Sequence, residues 1–352
     1  MNRKINVWIF IVIAMLLMTA CSNEEQGEKP ESLPLKDHEV DEDYEDEEGN
    51  LTYMEPFTGI ITEKESILRP VLVTINNHPL ARPQSGISNA DIVYEFLAEG
   101  NVTRLLALYQ SDLPDEIGPI RSARDYFIHV AKGLDAFYVA HGYSPDAQQL
   151  LHSNYVDYVN GMQHDGTIFK RSKERKAPHN SYTSSESILL AAENANASME
   201  INKMPPYSFH ESLESAKIGD IAETAVIRHG THPSFTSTYT YNKEQGTYDR
   251  TVNETLTVDH ASEDPVELAN ILVFEANYRT IDAEGRQAVD LESGGKALLF
   301  HAGIVKEVEW ENIDEIPTPV EDGVPTKLVP GKTWIHIIPT TPGIESVVSN
   351  TP

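Results

Sequence analysis

Cysteine is nearly missing from this chain: its 352 residues contain one, Cys21. A single thiol cannot close a disulfide within the chain, and it leaves no basis for a cysteine-rich metal site. Basic residues are scarce too, 27 Lys and Arg against 55 Asp and Glu, for a formal net charge of −28. That balance argues against nucleic acid and against binding a polyanion over a broad face. The sequence also lacks a GxSxG elbow, a P-loop and a GxGxxG turn, so no short motif announces a hydrolase or nucleotide site.

What is present begins with a leader. Arg3 and Lys4 precede the apolar run "INVWIFIVIAMLLM", and Met18-Thr19-Ala20 lead into Cys21. Residues 1–21 read as a secretory signal, too short and too abruptly ended to span a bilayer. The segment resembles the lipobox of bacterial lipoproteins, which implies that Cys21 carries lipid (a palmitate-type anchor) as the first residue of the mature chain. The expected location is the extracytoplasmic face of the cell membrane, anchored to it rather than spanning it.

The charge is unevenly spread: +2 in residues 1–21, −12 in residues 22–57 and −18 in residues 58–352. The segment 22–57, with its "DEDYEDEEGN" run, has few apolar clusters and reads as an acidic disordered tether. A flexible segment of that length has a root-mean-square reach of roughly 30 Å.

Patterning divides the rest. Over 58–205, "RPVLVTINN", "ADIVYEFLAEG", "VTRLLALYQS" and "DAFYVAHG" read as strands. "GPIRSARDYFIHVAKGL", "SPDAQQLLHS" and "TSSESILLAAENAN" read as helices, the second capped by Ser144 with Pro145 in its first turn, the third by a Thr183/Glu186 capping box. Residues 154–180 read as a long irregular, functional stretch. From 223 to 341 the segments are mostly strands, from "AETAVIRH" to "KTWIHIIP". The expected fold is an α/β N-terminal domain, a mixed sheet with helices, followed by a smaller mainly β C-terminal domain.

The candidate site residues lie in the first domain. Arg121 and Arg124, read as the first turn of a helix, would offer two guanidinium forks and a helix N-terminus to an anion, with Arg104 and Asn180 as further ligand-binding candidates. Internal ion pairing of those arginines with Glu95, Glu99 or Asp125 is the competing explanation. Glu95 and Glu99 at a strand end, with His141 after a strand and His179 in the long loop, are candidate acid–base groups. His141, His152, His164, Asp165 and His179 supply metal-ligand types without a recognised spacing, so neither metal nor cofactor is expected. The basic run "KRSKERK" reads as a solvated loop, as steering for an anionic polymer or as a contact with the membrane surface.

Several blocks, "RPVLVTINNHPLARPQSGISNADIVYEFLAEGNVTR", "GPIRSAR", "AHGYSP", "APHNSYTS" and "KTWIHI", resemble the YerB-like family of bacterial lipoproteins. The resemblance implies two adjoining domains of unknown function in an envelope lipoprotein, and it brings no reaction with it. Matching positions are Arg82, Asp91, Glu95, Glu99, Arg104, Arg121, Arg124, His141, His179 and Asn180. The expectation is a membrane-anchored protein that binds an anionic envelope ligand (peptidoglycan or an attached polymer) or an envelope protein partner. A cell-wall hydrolase or lytic glycosidase using Glu/His chemistry is the alternative, and a structural protein-interaction module the third reading.

Overall fold

The computed structural model describes Tyr44–Glu45 and residues 51–350. Cys21 and most of the acidic segment lie outside the described residues. The last part of that segment is structured, however: Leu51–Met54 is a strand paired with Ile61–Thr62, and Phe57 is 1 % exposed. Thr52, Glu55 and Phe57 are buried, so residues 51–57 belong to the folded part and not to an acidic disordered tether.

Eight consecutive elements build the first half. They are β1 (Val71–Asn76), β2 (Ile92–Glu99), β3 (Val102–Tyr109), α1 (Asp125–Gly133), β4 (Phe137–Ala140), α2 (Pro145–His152), β5 (Tyr158–Asn160) and the short α3 (Gly161–His164). The small strands β6 (Lys170–Arg171) and β7 (Ser181–Tyr182) pair with each other, and α4 (Ser185–Asn194) follows. The second half is mainly strands: β8 (Thr224–Arg228), β9 (Thr236–Asn242), β10 (Thr247–Val252), β11 (Asn270–Ala276), β12 (Gly295–His301), β13 (Ile304–Ile313), β14 (Ile316–Glu321) and β15 (Thr333–Pro339).

One sheet crosses both halves, with the order β14-β13-β12-β11-β15-β2-β3-β1-β4-β5. The junction is the parallel pairing of β15 with β2, Thr333 opposite Ile92 through Ile337 opposite Phe96. Every residue of β1 is buried, as expected for a strand covered on both faces. Leu72, Tyr94, Leu106 and Tyr138 point to one face, where α1 and α2 pack through Phe127, Val130 and Leu151. Val71, Val73, Ile75 and Leu105 point to the other, against Ile188 and Ala192 of α4 and a second sheet containing β8, β9 and β10. Successive side chains of a strand alternate faces, which is how one run of apolar residues feeds two cores.

Three sequence readings change. "GPIRSAR" is extended, not a helical turn: Ile120 bridges Ile75, Arg121 N donates to Thr74 O at 2.9 Å, and α1 begins at Asp125 with Arg124 as its N-cap. Pairing with the end of β1 supplies these backbone groups with partners that a helix would have had to replace. Gly118, at φ 154°, lets the segment pass Tyr182, whose ring lies 2.7 Å from where a Cβ would sit. The cap of α4 is Ser184, which accepts from Ser187 N, while Thr183 Oγ1 donates to Ile168 O. The 154–180 stretch holds β5, α3 and β6 rather than being irregular throughout. Ser144 caps α2 with Pro145 in its first turn, as its sequence indicates.

Candidate functional site

Strands β1, β4 and β5 run parallel to one another. Their carboxyl ends therefore open onto the same edge of the sheet, the place where ligands bind in many α/β folds. Asn76, Asn77 and His78 leave β1 there, His141 leaves β4, and Asn160 leaves β5. The "GPIRSAR" segment lies across this edge, with His141 N donating to Arg121 O at 2.9 Å. The loop after β6 brings His179, Asn180 and Ser181 to the same place.

The hydrogen bonds fix the imidazoles. Asn76 Oδ1 accepts from His78 N at 3.0 Å, so Asn76 Nδ2 is the group that donates to His179 Nδ1 at 2.9 Å. His78 Nδ1 accepts from Leu80 N at 3.2 Å. Both rings therefore carry their proton on Nε2. They stack at 4.6 Å between centroids, and neither Nε2 has a partner among the described residues. Burial holds His78 below the ordinary imidazole range, helped by the Arg82 and Arg121 charges. Burial likewise lowers His179, with His78, Arg121 and Arg175 adding to it. Both are neutral donors at pH 7.

Arg121 stands beside them. It is half-buried, and burial together with the nearby Arg104 charge pushes its pKa down to about 10. Its guanidinium has neither a hydrogen bond nor a carboxylate partner among the described residues. Arg104 and Arg124 are different. Both are 3 % exposed and both are bound to Oε1 of Glu99, Arg104 at 2.8 Å and Arg124 in close contact. One carboxylate thus serves two guanidiniums, and the extended backbone turns Arg124 to the side opposite Arg121. The three arginines do not form one clamp.

His141 is locked differently. Its Nε2 faces Arg171 Nη2 at 2.9 Å, which can only donate, so Nδ1 carries the proton and donates to Ser181 Oγ at 2.7 Å. That tautomer cannot take a proton from Ser181, so the pair is not a nucleophile with its base. Arg171 also binds Asp165 and donates to Asn180 Oδ1 at 3.2 Å. The basic run has therefore one member, Arg171, built into the site, and a second, Arg175, anchored on the carbonyls of Ala81 and Pro83. Among the described residues Arg121 and Arg175 have no acidic partner, and Arg104 and Arg124 have one between them. The corner is locally cationic in a strongly acidic protein.

Glu95 lies elsewhere. It is 1 % exposed in the middle of β2, and its oxygens accept from Asn77, Thr103, Arg250 and Trp334. Burial would raise its pKa, but the Arg250 charge and further polar neighbours hold it down to about 2. A saturated, buried carboxylate of this kind has no access to a substrate proton. Glu95 Oε2, His229 Nε2 and His336 Nδ1 also converge within 4.8 Å, the one such trio of metal-ligand types found among the described residues. Its donor set is spent: the two imidazoles bond each other at 2.9 Å, Tyr239 OH bonds His336 Nε2 at 2.7 Å, and Arg250 already neutralises Glu95. The trio reads as a buried polar network joining the two halves.

Sequence reasoning did not single out His78, Asn76, Arg171 or Ser181. A signal for His78 existed, since "NNHP" follows directly on a buried strand and ends at a proline.

The comparisons agree with this architecture. Residues 57–198 match the model for the N-terminal domain of a protein of unknown function (DUF3048), and residues 227–335 match that of its C-terminal domain. A curated protein of Bacillus subtilis, described as "Putative lipoprotein YerB", is 44 % identical over 286 residues, 81 % of this chain and 86 % of that protein. The crystal structure of the YerB protein from Bacillus subtilis is 40 % identical, covering 85 % of this chain and 100 % of that one with a TM-score of 0.78. Its adjoining domains, mixed sheet with helices and then mainly strands, are those seen here. The chain belongs to the family of two-domain DUF3048 proteins.

Proposed function

We propose that the protein is held to the extracytoplasmic face of the membrane by lipid on Cys21 and binds an anionic envelope ligand at the His78–Arg121–His179 corner. The observation that carries this reading is the set of three converging donors, the Arg121 guanidinium and the Nε2–H groups of His78 and His179, none with an acceptor in the described chain. A guanidinium fork beside two neutral imidazole donors suits a phosphate or carboxylate group. The overall negative charge disfavours broad adhesion to a polyanion, so recognition is local, one anionic group at a time. A teichoic-acid phosphate, a stem-peptide carboxylate of peptidoglycan and an acidic segment of an envelope protein all offer that group.

The hydrolase alternative loses support from Glu95 and Glu99, both committed to arginines. For Arg104 and Arg124 the burial against Glu99 favours the structural role. The test uses the full-length protein in detergent, pelleted with peptidoglycan that carries or lacks its attached polymers. Pelleting that is lost in a folded Arg121→Ala variant supports the reading. Equal pelleting of Arg121→Ala and the parent overturns it, and soluble fragments released by the parent but not by Glu99→Gln would establish the enzyme instead.

A further inference from the structure

A basic cavity lies in the other half of the molecule, between the chain segment that precedes β8 and the edge formed by β12, β13 and β14. Its volume is about 320 Å³, and its lining includes His210, Ser215, His301, Lys306, Thr326 and Lys327. This is the size range of small-ligand sites.

His301 is its most telling group. It ends β12 and is 2 % exposed, yet neither ring nitrogen has a hydrogen-bond partner among the described residues. Thr326, 8 % exposed, also leaves its hydroxyl unpartnered. Buried polar groups are ordinarily bonded, so two such orphans on one cavity wall call for an explanation. His210 meets His301 edge to face at 5.6 Å, and its Nδ1 is 3.4 Å from Ser215 Oγ. Ser215 Oγ gives its own proton to Ser212 O, so His210 Nδ1 is the donor in that contact.

The charges set the sign of the ligand. Lys327 is exposed with no carboxylate partner among the described residues, and Lys306 meets Glu321 at 2.5 Å. Both lysines line the cavity. Burial lowers the His210 imidazole, and the Lys327 and Lys306 charges add to it. Two ammonium groups against one carboxylate work against a metal ion, even though two imidazoles are at hand. They suit a multiply charged anion whose several oxygens can take the ammonium, imidazole and hydroxyl donors together. Ile218 and Val324, both well exposed, stand at the rim and offer apolar contact to whatever carries that anion.

We infer that this cavity binds a phosphate group, with Lys327, Lys306 and Thr326 as donors and the His210–His301 pair closing the pocket. It is independent of the His78–Arg121–His179 corner and neither needs the other.

Imidazole nitrogen spectra of the full-length protein in detergent test this directly, with the His210 and His301 signals assigned from His210→Gln and His301→Phe. Titration with inorganic phosphate at constant ionic strength should shift both signals saturably. Lys327→Ala should weaken that response at least about tenfold, the scale of one charge-assisted hydrogen bond, while Arg121→Ala leaves it unchanged. Glycerol 3-phosphate binding more tightly than inorganic phosphate would assign the site to the phosphoryl group of a larger molecule, and the reverse order to free phosphate. Absence of a saturable shift with either probe, or an equal response in a folded Lys327→Ala variant, overturns the proposal. A shift with acetate as large as that with phosphate would also overturn it in favour of a carboxylate.

Discussion

Glu95 of β2 and Arg250 of β10 meet in an ion pair buried at 1 % and 3 % side-chain exposure, with Nη2 3.2 Å from Oε2. The Arg250 guanidinium also lies 4.2 Å above the Trp334 ring, and Trp334 Nε1 donates to the same carboxylate oxygen. The partners come from the two halves of the chain, so the pair and the shared sheet tie those halves into one cooperative body.

Removing one partner of such a pair leaves the other charge buried without compensation. Glu95→Gln should therefore destabilise the protein by about 3–5 kcal/mol. The loss should appear as a lower urea midpoint in a single transition seen alike by fluorescence and circular dichroism. Two separated transitions in the parent protein would show that the halves unfold independently.

Acid should act on the same network. Burial is the main cause that lowers His229 and His336 below the ordinary imidazole value of about 6.5, with Arg250 adding to it and Glu95 opposing it. The unfolded chain then binds more protons than the folded one, so stability falls as pH drops below about 6.5. Glu95, held down to about 2, adds a further loss below its unfolded value of about 4.5. Denaturation midpoints measured across this range should decline from near-neutral pH, and His336→Gln should flatten the upper part of the decline. A flat profile down to about pH 5 would contradict the assignment of two neutral buried imidazoles.

Gly161 opens α3 directly beneath His141, and a Cβ there would sit 2.2 Å from His141 Nδ1. Gly161→Ala must push the ring off Ser181 and Arg171, at a cost of about 1–3 kcal/mol for a crowded, packed site. The expected sign is a lower melting temperature together with loss of the His141 Nδ1 proton signal that the Ser181 hydrogen bond holds in the parent. An unchanged proton signal would mean that the ring and α3 do not touch.

The strands were legible because the chain writes them as apolar runs between turn residues: "VLVTIN", "IVYEFLAE" and "TWIHIIP" sit where the sequence indicates. The state of "GPIRSAR" was not. Its spacing of apolar residues fits a helix, but its backbone groups pair with Thr74 and Gly142 instead, and such partners are set by tertiary contact. The site shows the same division. His141, His179, Asn180 and Arg121 could be picked out by their flanking turns, whereas the separation of Arg121 from Arg124 depended on the extended backbone. His78 became visible only through the fold: Asn76 holds its backbone N–H and the His179 ring, and so brings together two histidines that lie far apart in sequence.

The stacked pair of His78 and His179 makes the proposed anion site sensitive to pH in a defined direction. In the free protein, burial and the charges of Arg82, Arg121 and Arg175 keep both rings neutral. An anion seated against their Nε2–H groups favours the protonated form, so each pKa is higher in the complex than in the free protein. Binding must then take up protons, and affinity must rise as pH falls from about 7.5 towards about 5.5, levelling once the free site is itself protonated. Calorimetry of a bound phosphate polymer in two buffers of different ionisation enthalpy reads the uptake directly. His78→Gln should remove part of it while leaving binding at pH 7.5 within about threefold, since a neutral amide still donates. Arg121→Ala should weaken binding at every pH by about tenfold or more, the scale of a lost charge-assisted hydrogen bond. Affinity that stays constant over this range, with no proton uptake, would place the anion away from the histidine pair.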